Sequence, residues 1–62
     1  MISMQVKDIP MPNGLRYCAV CRYDGNENTF SYYSVDYETK KGFIKRVVKT
    51  IKHEFNEKPE VI

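Results

Sequence analysis

Between residues 40 and 52 the chain carries six cations, Lys40, Lys41, Lys45, Arg46, Lys49 and Lys52, and no acid. Ile44, Val47, Val48, Ile51 and Phe55 recur at i, i+3, i+4, i+7 and i+11 over the same stretch, the spacing of one helical face. The charges are therefore displayed on a helix. At 100° per residue, Lys41, Lys45, Lys49 and Lys52 fall within about 80° of one another, along the border of the apolar stripe. Ammonium groups held in a row suit an anionic partner. Lys40 and Lys41 sit at the helix start, where the backbone dipole is already positive and a cation costs a few tenths of a kcal/mol. Free amides, dipole and lysines together make a candidate phosphate site. Lysines that merely coat a solvated helix face and snorkel over the core edge are the other reading, and the two stay open. The rest of the chain is acidic. Residues 1–39 set Lys7, Arg16 and Arg22 against Asp8, Asp24, Glu27, Asp36 and Glu38, and residues 53–62 set Lys58 against Glu54, Glu57 and Glu60. The net charge of +2 thus hides one basic element on an acidic background.

Other reactive residue types are sparse. Cys18-Ala19-Val20-Cys21 is a CxxC lying in a strand pattern. A strand sends positions i and i+3 to opposite faces, and no second ligand pair exists, so small buried hydrophobes are expected, not zinc ligands. A redox CxxC needs a helix N-terminus to acidify a thiol, which this one lacks. His53 is the only histidine, and a capping or surface role near the helix C-terminus is expected. Asp24, Glu27, Asp36 and Glu38 belong to turns and strand ends and form no acid–base pair. Glycines at 14, 25 and 42 make no phosphate loop. No cofactor, no metal and no catalytic residue is expected, and the chain is read as not an enzyme.

The elements that would position these groups follow from pattern. Gln5 to Ile9 alternates as a short first strand, followed by a turn or extended connector, Pro10-Met11-Pro12-Asn13-Gly14. Leu15 to Tyr23 alternates over its whole length, with Leu15, Tyr17, Ala19, Cys21 and Tyr23 on one side and Arg16, Cys18, Val20 and Arg22 on the other. Asp24 to Asn28 reads as a hairpin loop, and Thr29 to Tyr37 as the returning strand. The helix runs from about Thr39, its N-cap, with Asp36 as a second cap candidate, to about Phe55. Residues 56–62, with Pro59, read as a frayed tail. The expected fold class is α+β: a small three-stranded antiparallel sheet packed against one C-terminal amphipathic helix, in a single domain over 1–62 with its ordered core at about 5–55.

If the helix covers the Leu15 to Tyr23 odd positions, Arg16 and Arg22 project from the open sheet face. Phe30 and Tyr32 join them in one hairpin register and not in the other. An open aromatic face is equally a dimer surface. Sixty-two residues with three Phe and five Tyr support one compact core. No apolar stretch has the length of a membrane span or a signal peptide, so a cytoplasmic protein with no membrane partner is expected.

The run Ile9-Pro10-Met11-Pro12-Asn13-Gly14-Leu15 leading into a strand, Arg22-Tyr23-Asp24-Gly25 at a hairpin turn, and an amphipathic helix after Asp36-Tyr37-Glu38-Thr39 resemble the arm-binding N-terminal domain of phage tyrosine integrases. They are also similar to the DNA-binding domain of plant ethylene-response factors. The resemblance implies a sheet that enters the major groove with the helix behind it, and Arg16, Arg22 and Tyr32 as contacts. A lysine pair opening the helix after a three-stranded sheet, here Lys40 and Lys41 with Lys45, is similar to the double-stranded-RNA-binding domain. The expected function is a small nucleic-acid-binding protein, of a phage or other mobile element, that holds phosphates with Lys40, Lys41, Lys45, Lys49 and Lys52. Arg16, Arg22 and Tyr32 assist, and DNA stands ahead of RNA as the partner. The alternative is a protein-interaction module, adaptor or inhibitor, in which the basic helix docks on an acidic protein surface or the aromatic sheet forms a homodimer.

Overall fold

A computed structural model describes all residues, 1–62. The elements are β1 (Ile2–Met11), β2 (Gly14–Tyr23), β3 (Thr29–Tyr33), α1 (Lys40–Phe55) and β4 (Glu60–Val61). The sheet order is β3-β2-β1-β4, with β1, β2 and β3 antiparallel and β4 parallel to β1. The α+β class and the three antiparallel strands match the expectation. The fourth strand does not, and the sheet is mixed. The tail expected to fray instead returns along β1: the Ile62 amide donates to the Met4 carbonyl at 2.8 Å and Pro59 is buried.

β1 is also longer than its pattern suggests, because it runs through Pro10. The Met4 carbonyl faces β4. Backbone groups alternate along an unbulged strand, so Val6, Asp8 and Pro10 face the same outer side. Proline lacks an amide hydrogen, and here the missing donor lies where no ladder bond is required. The connector therefore shrinks to Pro12-Asn13, with Met11 and Gly14 already paired. Gly14 leaves this turn at φ 126°, open to glycine. The second hairpin turns through Gly25 at φ 77°, held by the Asn26 amide on the Tyr23 carbonyl and the Asn28 amide on the Asn26 side chain.

One sheet face packs against α1. Ile2, Met4, Ala19 and Cys21 meet Phe43, Val47 and Ile51, all fully buried. Burying each large apolar side chain contributes about 1.5–3 kcal/mol. Phe43, outside the expected stripe, is the largest of them, with its ring 6.2 Å from that of Tyr17. Ile44, Val48 and Phe55 flank this core partly buried. Thr39 caps the helix in extended conformation, its hydroxyl accepting from the Gly42 amide at 3.1 Å. Asn56, left-handed at φ 53°, ends it. No helix is long and apolar enough to cross a membrane.

Candidate functional site

The six cations of α1 divide into two groups. Lys40 is turned to the sheet and pairs with Asp8 of β1 at 3.2 Å. Arg46 is held more firmly. Its Nε lies 2.8 Å from one Glu38 carboxylate oxygen and its Nη2 3.0 Å from the other, and the same Nη2 donates to the Tyr33 carbonyl at 3.1 Å. The guanidinium also stands 5.5 Å from the Phe43 ring centre. This bidentate pairing holds the Glu38 carboxyl below the usual carboxylate range and raises Arg46 further. Arg46 thereby joins the end of β3, the turn after it and the helix.

Lys41, Lys45, Lys49 and Lys52 have no ion-pair partner and all four are exposed. They form one ridge about 16 Å long, from eleven residues at 1.5 Å each. Five of the chain's eight acids are directed elsewhere: Asp8, Asp24, Asp36, Glu38 and Glu57 pair with Lys40, the N-terminal amine, Arg16 or Arg46. No acid occupies the first helical turn. Lysines at i, i+4 repel one another by a few tenths of a kcal/mol, and this helix contains two such pairs, 41/45 and 45/49.

The other expected contacts do not join the ridge. Arg16 and Arg22 extend from the sheet face opposite the helix, as the alternation of β2 requires. Arg16 is already engaged: it donates to the Ser34 carbonyl at 3.0 Å and pairs with Asp36. Arg22 is exposed, registered with Ser3 on β1 and Thr29 on β3. Tyr32 is corrected in position. It pairs with Ala19, and Cys21 pairs with Phe30, so both aromatics lie on the helix side, partly buried against the core. Burial and the nearby Glu54 carboxylate push the Tyr32 hydroxyl up, keeping it neutral. Tyr33, not Tyr32, faces outward with Arg16 and Arg22. Cys21 lies in the core, where burial raises its thiol, and Cys18 lies on the opposite face.

A second feature was missed at the sequence level. At the N-terminal end of α1 an open groove of about 480 Å³ runs between the first hairpin turn and residues 36–40. Tyr37 stands on its wall, fully exposed, with φ 64°. The sequence pattern carried the returning strand through to Tyr37, whereas β3 ends at Tyr33 and Tyr37 lies in the turn before the cap.

Comparison with protein-family profiles, with characterised proteins and with solved structures gives no match. The functional reading therefore rests on the chain's own geometry.

Proposed function

We propose that this chain is a small non-enzymatic nucleic-acid-binding protein that holds backbone phosphates along Lys41, Lys45, Lys49 and Lys52. The supporting observation is the unpaired ridge. Every basic side chain with a structural use, Arg16, Lys40 or Arg46, has an acid within reach. The four ridge lysines have none, although their mutual repulsion works against the helix that carries them. An anionic partner relieves that repulsion and supplies the missing counter-charges.

Lys40 and Arg16 enter this reading as positioning groups, since their charges are already matched inside the protein. Arg22 lies on the opposite side from the ridge and would meet only a partner that wraps around the sheet edge.

The test is the salt dependence of binding to a labelled duplex DNA, read by fluorescence anisotropy. Four neutralised phosphates give a slope of log K against log salt of about −3.6. Lys45→Ala lowers that slope by about 0.9. A slope near zero, or binding that survives Lys41→Glu with Lys45→Glu, removes the helix from the interface.

A protein-interaction module is the second reading. It is favoured by the half-exposed Met11, Leu15 and Val35 beside Tyr37. It predicts salt-insensitive association and no nucleic-acid binding.

A further inference from the structure

The groove beside Tyr37 differs from the ridge in charge, although the two adjoin. Lys40 lines the groove and Lys41 begins the ridge. Within the groove every charge is matched: Arg16 to Asp36, Lys40 to Asp8, and Glu38 to Arg46. Free phosphate would find no spare cation there. The lining is mixed: Met11, Leu15 and the aromatic Tyr17 and Tyr37 stand among polar and charge-matched residues, the exposed Asn13 included. The volume of about 480 Å³ lies in the usual range for small-molecule sites.

Tyr37 is poorly suited to a purely structural role. It is the third residue of a turn closed by the Glu38 amide on the Val35 carbonyl at 3.2 Å and by the Val35 amide on the Glu38 carboxylate at 3.0 Å. Its left-handed backbone favours glycine or asparagine. Its ring stacks on none of the chain's other aromatics. An apolar face held out in water, at a strained backbone position, next to a row of unpaired lysines, fits a flat neutral ligand attached to a chain of phosphates.

We propose that the groove receives an unstacked base of a single-stranded nucleic acid, with Tyr37 as the stacking surface and the phosphates lying along Lys41, Lys45, Lys49 and Lys52. The inference rests on the polyanion reading above and deepens it. A duplex keeps its bases paired and stacked and cannot offer one to the groove. The protein therefore binds single strands, or single-stranded loops, more tightly than duplex of equal length.

The experiment compares a labelled oligothymidylate, a duplex of the same length and linear polyphosphate, at about 50 mM salt. The proteins are the native chain, Tyr37→Ala, Tyr37→Phe and Lys45→Ala. The expected result is an approximately tenfold loss of single-strand affinity for Tyr37→Ala, with no loss for Tyr37→Phe. Duplex and polyphosphate binding stay unchanged in both. The chain contains no tryptophan, so Tyr37→Trp gives a single reporter whose emission is quenched by the single strand and not by polyphosphate. If Tyr37→Ala leaves single-strand affinity unchanged while Lys45→Ala weakens all three ligands, the groove inference fails and the polyanion reading stands. Absence of binding to all three ligands overturns both. Self-association of the native chain that Tyr37→Ala abolishes, with single-strand affinity unaffected, assigns the groove to a protein contact and overturns the base site.

Discussion

At the C-terminal end of α1, Phe55 lies 5.2 Å from Phe30 and 5.7 Å from Tyr23, ring centre to ring centre, and Phe30 in turn meets Tyr32 edge-on at 6.0 Å. The neighbouring Pro59 is buried. At the N-terminal end Phe43 is buried against Tyr17, but Tyr37 beyond it is bare to solvent, and the apolar Met11 and Leu15 near it are about half exposed. The helix is thus packed at both ends, by four aromatic rings at one and by Phe43 on Tyr17 at the other, and only the second end also borders a groove with an exposed aromatic ring. A domain of this size has few kcal/mol in reserve. Exposed apolar groups occur at both ends, Met1, Val61 and Ile62 at one and Met11, Leu15 and Tyr37 at the other, but only the latter line a groove. On the reading proposed above, the C-terminal end serves the fold and the N-terminal end is the one offered to a partner.

The sharpest way to break that comparison is to remove an aromatic from each end. Phe55→Ala opens a cavity among the rings and is expected to destabilise by about 2–3 kcal/mol, below the 3–5 of a fully buried Phe because Phe55 keeps some exposure. Urea unfolding followed by circular dichroism reads it. A loss under 1 kcal/mol would mean that the C-terminal cluster does not secure the helix.

The Arg46 latch comes next, since it ties the open end to the core. Arg46→Ala removes two bonds to Glu38 and one to the Tyr33 carbonyl, with an expected loss of about 1–2 kcal/mol. The pH dependence carries the same information. The Glu38 carboxyl is depressed in the folded state, chiefly by the Arg46 hydrogen bonds. The unfolded chain therefore binds the proton first as pH falls. Stability from this pair is complete above the ordinary carboxylate value, about 4.3, and is lost as pH drops through it toward the folded value. Arg46→Ala should flatten the acid limb of the stability profile. An unchanged acid limb would leave Glu38 without a role in it.

Lys45→Glu separates stability from binding. It replaces two repulsive i,i+4 pairs by attractive ones, so the helix should gain about 0.5–1 kcal/mol while polyanion affinity falls. A helix that loses stability instead would show that the ridge lysines are used internally.

Much of this architecture was legible. Strict alternation from Leu15 to Tyr23 assigned the two faces of β2, and the 3.6-residue stripe located the helix and its Thr39 cap. What escaped depends on partners distant in sequence. The hairpin loop at 24–28 leaves a one-residue slip open, so nothing local decided between Tyr32 and Tyr33 as the outward ring. Pro10 read as a strand breaker because its outward backbone position depends on the register of β1 against β2. A two-residue parallel strand has no period of its own, and its pairing forms only after the helix has crossed the sheet. Of the candidate site, the lysine row was legible from spacing alone. That Arg16, Lys40 and Arg46 are already matched was not, because their acids are 20, 32 and 8 residues away.

The smallest expected effect is at the open end. Tyr37→Gly places at φ 64° the residue that tolerates it best. Relief of the left-handed backbone favours the folded state by about 1 kcal/mol. The extra freedom of glycine in the unfolded chain opposes it by about 0.5–1. The ring leaves no cavity, since it is fully exposed. The net change should lie within about 0.5 kcal/mol of zero by urea unfolding, against the 2–3 expected for Phe55→Ala. A loss above 1 kcal/mol would show that the Tyr37 ring packs in solution, and the contrast between the two helix ends would collapse. If the loss is absent, Tyr37 is free of structural duty, and any change in binding on its removal reports the ligand directly.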